Sequence, residues 1–259
     1  MFLSRSSRIL RGGLVGACAL AIATATAPAG AFAAGDATPI DFPTFNGASK
    51  MLWRNGSADI LTSAGRVHQR ILRLTAGGYE QSGSAWSPHK IDINKSFEST
   101  FKVYLHHGQP GADGIAFLVQ AEGPYALGGW GGGLGYRGIH KSVAIEFDTF
   151  QNTADPSSNH LAVVVNGDPD HHMVSADPSI PLYGRPFDAR VTYDADSTDL
   201  KVYVRALRAG STEEQVLDQK IDLAAQVGAT SVWTGFTGAT GRALSKQDIY
   251  SWSVQGTEA

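Results

Sequence analysis

The chain has 259 residues, of which 24 are acidic, 21 are basic and one, Cys18, is a cysteine. With 17% charged and 42% hydrophobic residues, it has the composition of neither a disordered chain nor an evident membrane protein. The formal net charge of −3 argues against a nucleic-acid partner, and one cysteine excludes both an internal disulfide framework and a cysteine-based zinc site.

The first 34 residues have the features of a secretory signal peptide. Arg5, Arg8 and Arg11 form a basic start, and the stretch from residue 13 to residue 33 carries no charge. It ends in Ala-Phe-Ala, the small-residue pattern that precedes a cleavage site. We therefore expect residues 1–34 to be removed, leaving a domain over residues 35–256 that is secreted, extracellular or periplasmic, with no membrane span.

The remaining sequence consists of short apolar runs separated by turn residues. Residues 35–50, rich in Pro, Gly and Asp, are expected to form a loosely held N-terminal segment. A helical turn is predicted over Leu223–Val227, and the polar connection at 194–199 predicts a hairpin over 189–205. Strands are predicted over 70–74, 97–105, 114–120, 142–150, 161–166, 189–193, 200–205 and 231–237. Many short strands without βαβ spacing predict a sandwich or jelly roll.

The most informative stretch follows the predicted strand 142–150. Glu146 and Asp148 alternate along this strand, so both side chains project to one face, where two carboxylates repel unless they face water or a cation. Asn152, Asp155 and His160 follow within twelve residues. Carboxylate and amide oxygens suit a hard cation, and the added imidazole suits manganese or zinc better than calcium. The pattern indicates two adjacent metals sharing Asp148 and Asp155; alone, the Glu-x-Asp pair would indicate only a solvated strand face.

This stretch resembles the metal loop of the legume-type (L-type) lectins. Three further stretches, at 112–117, 131–135 and 232–241, resemble in order the sugar-binding Asp segment, the glycine loop and one of the last strands of that family. The chain thus resembles a secreted, bacterial-like member. The resemblance implies an all-β fold, a concanavalin-like jelly-roll β-sandwich of two large antiparallel sheets.

Two metal ions are implied by the resemblance. The ligands of manganese (Mn2+), or of another transition-metal ion, would be Glu146, Asp148, Asp155 and His160. The ligands of calcium (Ca2+) would be Asp148, the Phe150 carbonyl, Asn152 and Asp155. With Asp148 bidentate and two waters, calcium reaches a coordination number within its usual range of about 6–8.

A sugar site is implied beside the metals. Its residues would be Asp113, Gly132, Phe150, Asn152, Arg242 and Ala243. Asp113, after a cis peptide bond, would accept from two sugar hydroxyls, Asn152 and Gly132 would donate N–H groups, and the Phe150 ring would face the sugar. The short stretch between Gly241 and Ser251 resembles that of mannose/glucose-type members. Taken singly, Asp113 also fits a simple turn, the glycine run fits a flexible loop, and Phe150 fits a core aromatic side chain.

The expected function is non-catalytic, metal-dependent binding of glycans or glycoconjugates, and a homodimer is left open. A glycoside hydrolase of the same fold is the rival, but it needs a second carboxylate three or four residues along the strand, about 5–5.5 Å from the first for retention, and the four residues after Asp148 contain no Glu. A structural or adhesion domain that bound calcium stabilises is the third alternative. The run Asp168, Asp170, His171 and His172 is interpreted as a solvated loop rather than as another metal site.

Overall fold

The computed structural model describes residues 39–64, 68–108 and 111–256, so the predicted signal peptide lies outside the described residues. The described part contains sixteen strands, one α-helix, α1 (Leu223–Val227), and two 3-10 turns, Ala48–Lys50 and Gly131–Gly133. The strands are β1 (Ile40–Phe42), β2 (Trp53–Gly56), β3 (Asp59–Thr62), β4 (Arg70–Ala76), β5 (Ser82–Trp86), β6 (Ile91–Asp92), β7 (Phe97–His106), β8 (Gly114–Gln120), β9 (Ser142–Asp148), β10 (His160–Val165), β11 (His172–Ala176), β12 (Phe187–Asp194), β13 (Asp199–Ala206), β14 (Glu214–Lys220), β15 (Ser231–Ala239) and β16 (Lys246–Gly256).

Two eight-stranded antiparallel sheets form a sandwich, which confirms the all-β jelly-roll prediction. The back sheet has the order β14-β13-β12-β7-β16-β4-β3, with β1 also paired to β16. The front sheet has the order β11-β10-β9-β8-β15-β5-β2, with β6 also paired to β15. Consecutive strands β8, β9, β10 and β11 therefore lie side by side, and this arrangement positions the site described below.

The main core lies between the two sheets. Every second residue of β7 is buried, as expected for a strand with one face toward the core. Phe101 on β7 packs against three aromatic rings of the front sheet, at centroid distances of 5.5 Å to Phe117, 5.6 Å to Phe147 and 5.0 Å to Phe236. Such offset and edge-to-face aromatic contacts add to the stabilisation from burial alone.

A second, smaller apolar cluster covers the outer face of the front sheet. Leu134, Tyr136 and Ile139, from the segment between β8 and β9, pack there against Ala144 and Ala162. Strands β8 and β9 are consequently buried on both faces along their whole length. Burial on both faces explains why β8 is almost continuously apolar instead of alternating, whereas β9 places Glu146 and Asp148 on its buried outer face.

The predicted elements agree with the structure in type and differ mainly at their ends. The strand 114–120 and the helical turn Leu223–Val227 have the predicted bounds. The hairpin is confirmed, with β12 and β13 paired from Phe187 opposite Ala206 to Asp194 opposite Asp199. The strand predicted over 142–150 ends at Asp148, because the next residues turn away into the metal loop.

The prediction of a loosely held segment at 35–50 was wrong for the residues that the structure describes. Ile40–Phe42 pairs with β16, and the Phe45 N–H donates to the Arg70 carbonyl at 3.1 Å. Phe42 and Phe45 are buried with their rings 5.6 Å apart. Aromatic burial therefore fixes this segment despite its turn-rich composition.

A helix that crosses a membrane needs about 20 apolar residues. In the described ranges, no helix is long and apolar enough to be a candidate for a membrane span.

A buried ion pair joins the central strands of the back sheet. Asp248 on β16 accepts two hydrogen bonds from the Arg73 guanidinium on β4, at 2.6 and 2.7 Å, and its Oδ2 lies 2.9 Å from His106 Nε2 on β7. Burial raises the pKa of Asp248, but the hydrogen bonds from Arg73 and His106 outweigh burial and hold that pKa below its ordinary value. The charged carboxylate therefore stabilises the folded state.

Replacing Asp248 with asparagine is expected to lower the free energy of unfolding by up to about 3–5 kcal/mol, the cost of breaking a buried ion pair, because the partly buried Arg73 charge loses its anionic partner. A pKa depressed by folding contributes stability that is complete above the unfolded-state value of about 3.9 and is lost as the pH falls through the folded-state value. In urea unfolding, the difference between wild type and D248N should therefore be full at about pH 7 and shrink below about pH 4. Asp188→Asn, which breaks the exposed pair with Arg205, is the control and should cost under about 1 kcal/mol; equal losses in both variants would contradict this account.

Candidate functional site

The register of three neighbouring strands assembles a cluster of metal-ligating side chains. His160, the first residue of β10, lies directly opposite Asp148, the last residue of β9, and Ala162 lies opposite Glu146. Residues directly opposite in an antiparallel pair project to the same face. Glu146, Asp148 and His160 therefore share the outer face of the front sheet, and the small side chain of Ala162 leaves room between them.

The loop from 149 to 159 returns Asp155 to this cluster. The Phe150 N–H donates to Asp148 Oδ1 at 2.7 Å, and the Asn152 N–H donates to Asp155 Oδ2 at 2.5 Å. Such side chain–backbone bonds are the usual way in which Asp residues shape a turn. Asp155 Oδ1 then lies 3.8 Å from His160 Nε2. The structure thus brings together the predicted transition-metal ligands, Glu146, Asp148, Asp155 and His160, in two overlapping groups of possible ligand atoms.

Burial makes this cluster electrostatically costly without a cation. Desolvation raises the pKa of Glu146 to about 8, and it raises the pKa of Asp148 well above its ordinary value, with the charge of Glu146 adding to the effect. Desolvation also lowers the pKa of His160. Divalent cations are a common means of compensating carboxylates that are held this close and this far from water.

Three ligand atoms in the cluster lack a partner among the described residues. Glu146 Oε2, His160 Nε2 and His172 Nε2 are buried there without a hydrogen bond. His160 Nδ1 lies 2.9 Å from the Ser157 carbonyl, to which it donates, so the lone pair is left on Nε2. Tyr136, whose pKa is raised by burial, donates to Glu146 Oε1 at 2.5 Å and leaves Oε2 free. Carboxylate oxygens and neutral imidazole nitrogens that are buried and unpaired fit a transition-metal ion.

His172 was missed by the sequence interpretation. The expectation of a solvated loop holds for its neighbours, since Asp170 pairs with Arg137 and Asp168 pairs with His171 at the surface. The His172 side chain, by contrast, is only 8% exposed. A bulge between Val163 and Val164 of β10 places His172 opposite Val164, so its side chain reaches the outer face instead of following Val174 toward the core.

Asp113 directly precedes β8 and lies beside the start of the loop from 149 to 159. The Ala112–Asp113 peptide bond is cis, as the resemblance predicts. The Asp113 carbonyl accepts from the Thr149 N–H at 2.9 Å, and Oδ2 is buried without a hydrogen bond to any described residue. Desolvation raises the pKa of Asp113 to about 7. An acceptor oxygen in this state is available to a ligand that brings its own donors.

Gly132 and Asn152 are brought into contact. A Cβ atom on Gly132 would lie 2.9 Å from both amide atoms of Asn152, so any other residue there would displace the Asn152 side chain from its present position. Phe150, which precedes this contact in the metal loop, is half-buried.

The segment from 240 to 245, between β15 and β16, closes the same region. A Cβ atom on Gly241 would lie 3.4 Å from the Gly131 Cα and 3.6 Å from Asp113 Oδ2. Arg242 and Ala243 follow directly; Ala243 is half-buried, and Arg242 is exposed and forms no hydrogen bond or ion pair with a described residue. The predicted sugar-site residues therefore come from four separate chain segments, and Gly241, directly before Arg242, lies close to both Gly131 and Asp113.

Comparisons with known proteins agree with this geometry. The family model described as the legume lectin β-barrel domain matches residues 45–253. A lectin of Onobrychis viciifolia is 32% identical over 182 residues, covering 64% of this chain and 70% of its own length. Agglutinin-2 of Cladrastis kentukea is 30% identical over 243 residues, covering 84% and 80%. Among solved structures, the lectin from Bauhinia forficata in complex with GalNAc has a TM-score of 0.70 and 25% identity, covering 85% of this chain and 98% of its own.

Proposed function

The chain belongs to the legume lectin family, and from this membership we propose that it is a secreted, metal-dependent lectin for mannose- or glucose-type glycans. Lectins bind carbohydrate without transforming it, so the chain is non-catalytic and the glycoside hydrolase interpretation is set aside. The observation that carries the proposal is the convergence of Asp113, Gly132 and Asn152 beside a buried carboxylate–histidine cluster.

In this proposal two cations organise the site. A transition-metal ion such as Mn2+ would be held by Glu146, Asp148, Asp155 and His160, and the unpaired buried atoms of Glu146 and His160 fit such an ion. Ca2+ would be held by Asp148, the Phe150 carbonyl, Asn152 and Asp155, an all-oxygen set that suits a hard cation. When bound, the ions supply positive charge that offsets the carboxylates and fixes the loop.

The proposed sugar site uses the side chains that the metal loop presents. Asp113 Oδ2 would accept hydrogen bonds from two adjacent sugar hydroxyls, because its lone pairs are not used by any described residue. With its oxygen on calcium, Asn152 would present its NH2 group as a donor beside the Gly132 N–H. The Phe150 ring would contact the apolar face of the sugar, and the backbone at Arg242 and Ala243 would border the pocket.

The short segment after Gly241 supports the mannose/glucose preference. The returning strand β16 begins at Lys246, so little chain is available to reshape the pocket. In calorimetric titration we expect methyl mannoside to bind about tenfold more tightly than methyl galactoside, the effect of about one unsatisfied buried hydrogen bond. Tighter binding of the galactoside would refute the preference for mannose or glucose. The similar lectin from Bauhinia forficata was solved in complex with GalNAc.

Secretion is proposed on the sequence of residues 1–34 alone. A homodimer formed through the back sheets is not part of the proposal. The outer face of that sheet carries the ion pairs Arg190–Glu98 and Arg205–Asp188, whose burial would cost desolvation energy.

A glycan array tests the proposal directly. The labelled protein would be applied with added calcium and manganese, and again after treatment with a chelator. Signals on mannose- or glucose-containing glycans that disappear with the chelator are the expected result. An array without any glycan signal in the metal-loaded state would instead favour a structural or adhesion domain stapled by calcium.

A further inference from the structure

The cluster contains one more buried imidazole than the proposed metal site uses. His172, on β11, lies next to the cluster formed by β9 and β10, and its Nε2 has no hydrogen-bond partner among the described residues. A buried polar atom without a partner is costly, so its presence calls for a ligand that the protein itself does not supply. Glu146, His160 and His172 also form a group whose ligand atoms all lie within 4.8 Å of one another.

The separations within the cluster fall within the range spanned by the ligands of a single ion. Two ligand atoms each about 2.1 Å from one ion are about 3.0 Å apart at a right angle, about 3.4 Å apart at a tetrahedral angle and about 4.2 Å apart on opposite sides. His172 Nε2 lies 3.4 Å from Glu146 Oε2 and 3.7 Å from Asp155 Oδ1. His160 Nε2 lies 3.8 Å from that same Asp155 oxygen. Both imidazoles thus aim at the space beside one carboxylate oxygen.

A direct ion pair does not account for this arrangement. A charge-assisted hydrogen bond between imidazolium and carboxylate spans about 2.7–2.9 Å, whereas Glu146 Oε2 and His172 Nε2 are 3.4 Å apart and neither forms a hydrogen bond. Stacking does not account for it either, since the His160 and His172 rings are tilted by 37° with centroids 5.4 Å apart. The two rings converge at their Nε2 atoms instead of lying face to face.

From this geometry we propose that His172 is a further protein ligand of the transition-metal ion, an inference that rests on the metal centre of the proposed function. The ion would then have two imidazole nitrogens together with Glu146, Asp148 and Asp155, leaving one position of an octahedron for water. Imidazole suits zinc, nickel and copper, whereas carboxylate and water suit manganese. His172 therefore shifts the metal preference of the centre toward zinc.

The test compares the full chain with His172→Ala and with His171→Ala, the control at the adjacent exposed histidine that pairs with Asp168. Metal-stripped proteins would be reloaded with calcium and either Mn2+ or Zn2+. Pulsed EPR of the manganese-loaded protein counts the imidazole nitrogens bound to the ion. Two are expected in wild type and in H171A, and one in H172A. By competition titration, the ratio of zinc to manganese affinity should fall at least about tenfold in H172A only.

The nitrogen count and the metal uptake decide whether His172 is a ligand. Circular dichroism would show whether H172A is folded, and His172→Gln provides a second variant if it is not. One bound nitrogen in wild type, with glycan binding still metal-dependent, would overturn the role of His172 while leaving the proposed function intact. A wild-type protein that takes up no transition-metal ion would overturn the proposed metal centre itself.

Discussion

Removal of the bound cations is expected to abolish glycan binding and to destabilise the fold. Without cations, Glu146, Asp148 and Asp155 lie close together in a buried cluster, and the loop that carries Asn152 loses its anchor. A ligand present at about 100 times its dissociation constant stabilises the folded state by about 2.7 kcal/mol, so chelation should lower the unfolding free energy by about that amount or more. Acidification should act in the same direction, because protons compete with the metal for these side chains.

The measurement is calorimetric titration with a mannoside before and after treatment with a chelator, paired with thermal unfolding. Calcium and manganese together should restore binding to wild type. Asp155→Ala should not be restored, because it removes a ligand proposed for both ions. Asp170→Ala, which breaks only the surface pair with Arg137, should behave like wild type. Full sugar binding by metal-stripped D155A would refute the metal dependence.

Asp113→Asn is expected to weaken glycan binding by more than about 100-fold while leaving the metal content unchanged. The replacement preserves the shape of the side chain but converts an acceptor oxygen into an NH2 donor, which cannot accept from a sugar hydroxyl. Hydrogen bonds to a charged group contribute about 1.5–3 kcal/mol each, so the loss of two corresponds to at least two orders of magnitude in affinity. Asp113 is bound to the rest of the chain through its backbone, so folding should be preserved.

Titration with a mannoside and elemental analysis of the same sample provide the two readouts. Asp168→Asn, a surface carboxylate paired with His171, is the matched control and should leave both unchanged. Unaltered affinity in D113N would remove Asp113 from the sugar site. A loss of metal together with sugar would show that Asp113 acts on the metal loop instead of on the glycan.

The parts of the site that are local in sequence could be predicted from sequence. Glu146, Asp148, Asp155 and His160 lie within fifteen residues, and the alternation of one strand together with the following turn is enough to bring them together. His172 could not be found in this way. The period of two residues, counted back from the core-facing Val174, predicts that His172 also faces the core, and only the bulge reverses it.

Strands, too, could be predicted only where their own residues determine the structure. Strands with continuous apolar runs, such as Gly114–Gln120, were predicted with correct bounds. Ser82–Trp86 was not predicted, because its small residues give no apolar periodicity, although four of the five are buried. Glu214–Lys220 is an edge strand with mostly polar residues, and its pairing with β13 is decided by the neighbouring strand rather than by its own composition.

The positions of β15 and β16 have a consequence for the synthesis of the protein. These two strands are the last of the described chain, yet β15 lies between β8 and β5 in the front sheet, and β16 lies between β7 and β4 in the back sheet. A chain produced from its N-terminus therefore holds the inner edges of β4, β5, β7 and β8 unpaired, and β1 and β6 without a partner strand, until residues 231–256 have emerged, and such edges are templates for aggregation. Partial chains released before that point would expose these edges, and a nascent chain can complete its pair of sheets only once residues 231–256 are available.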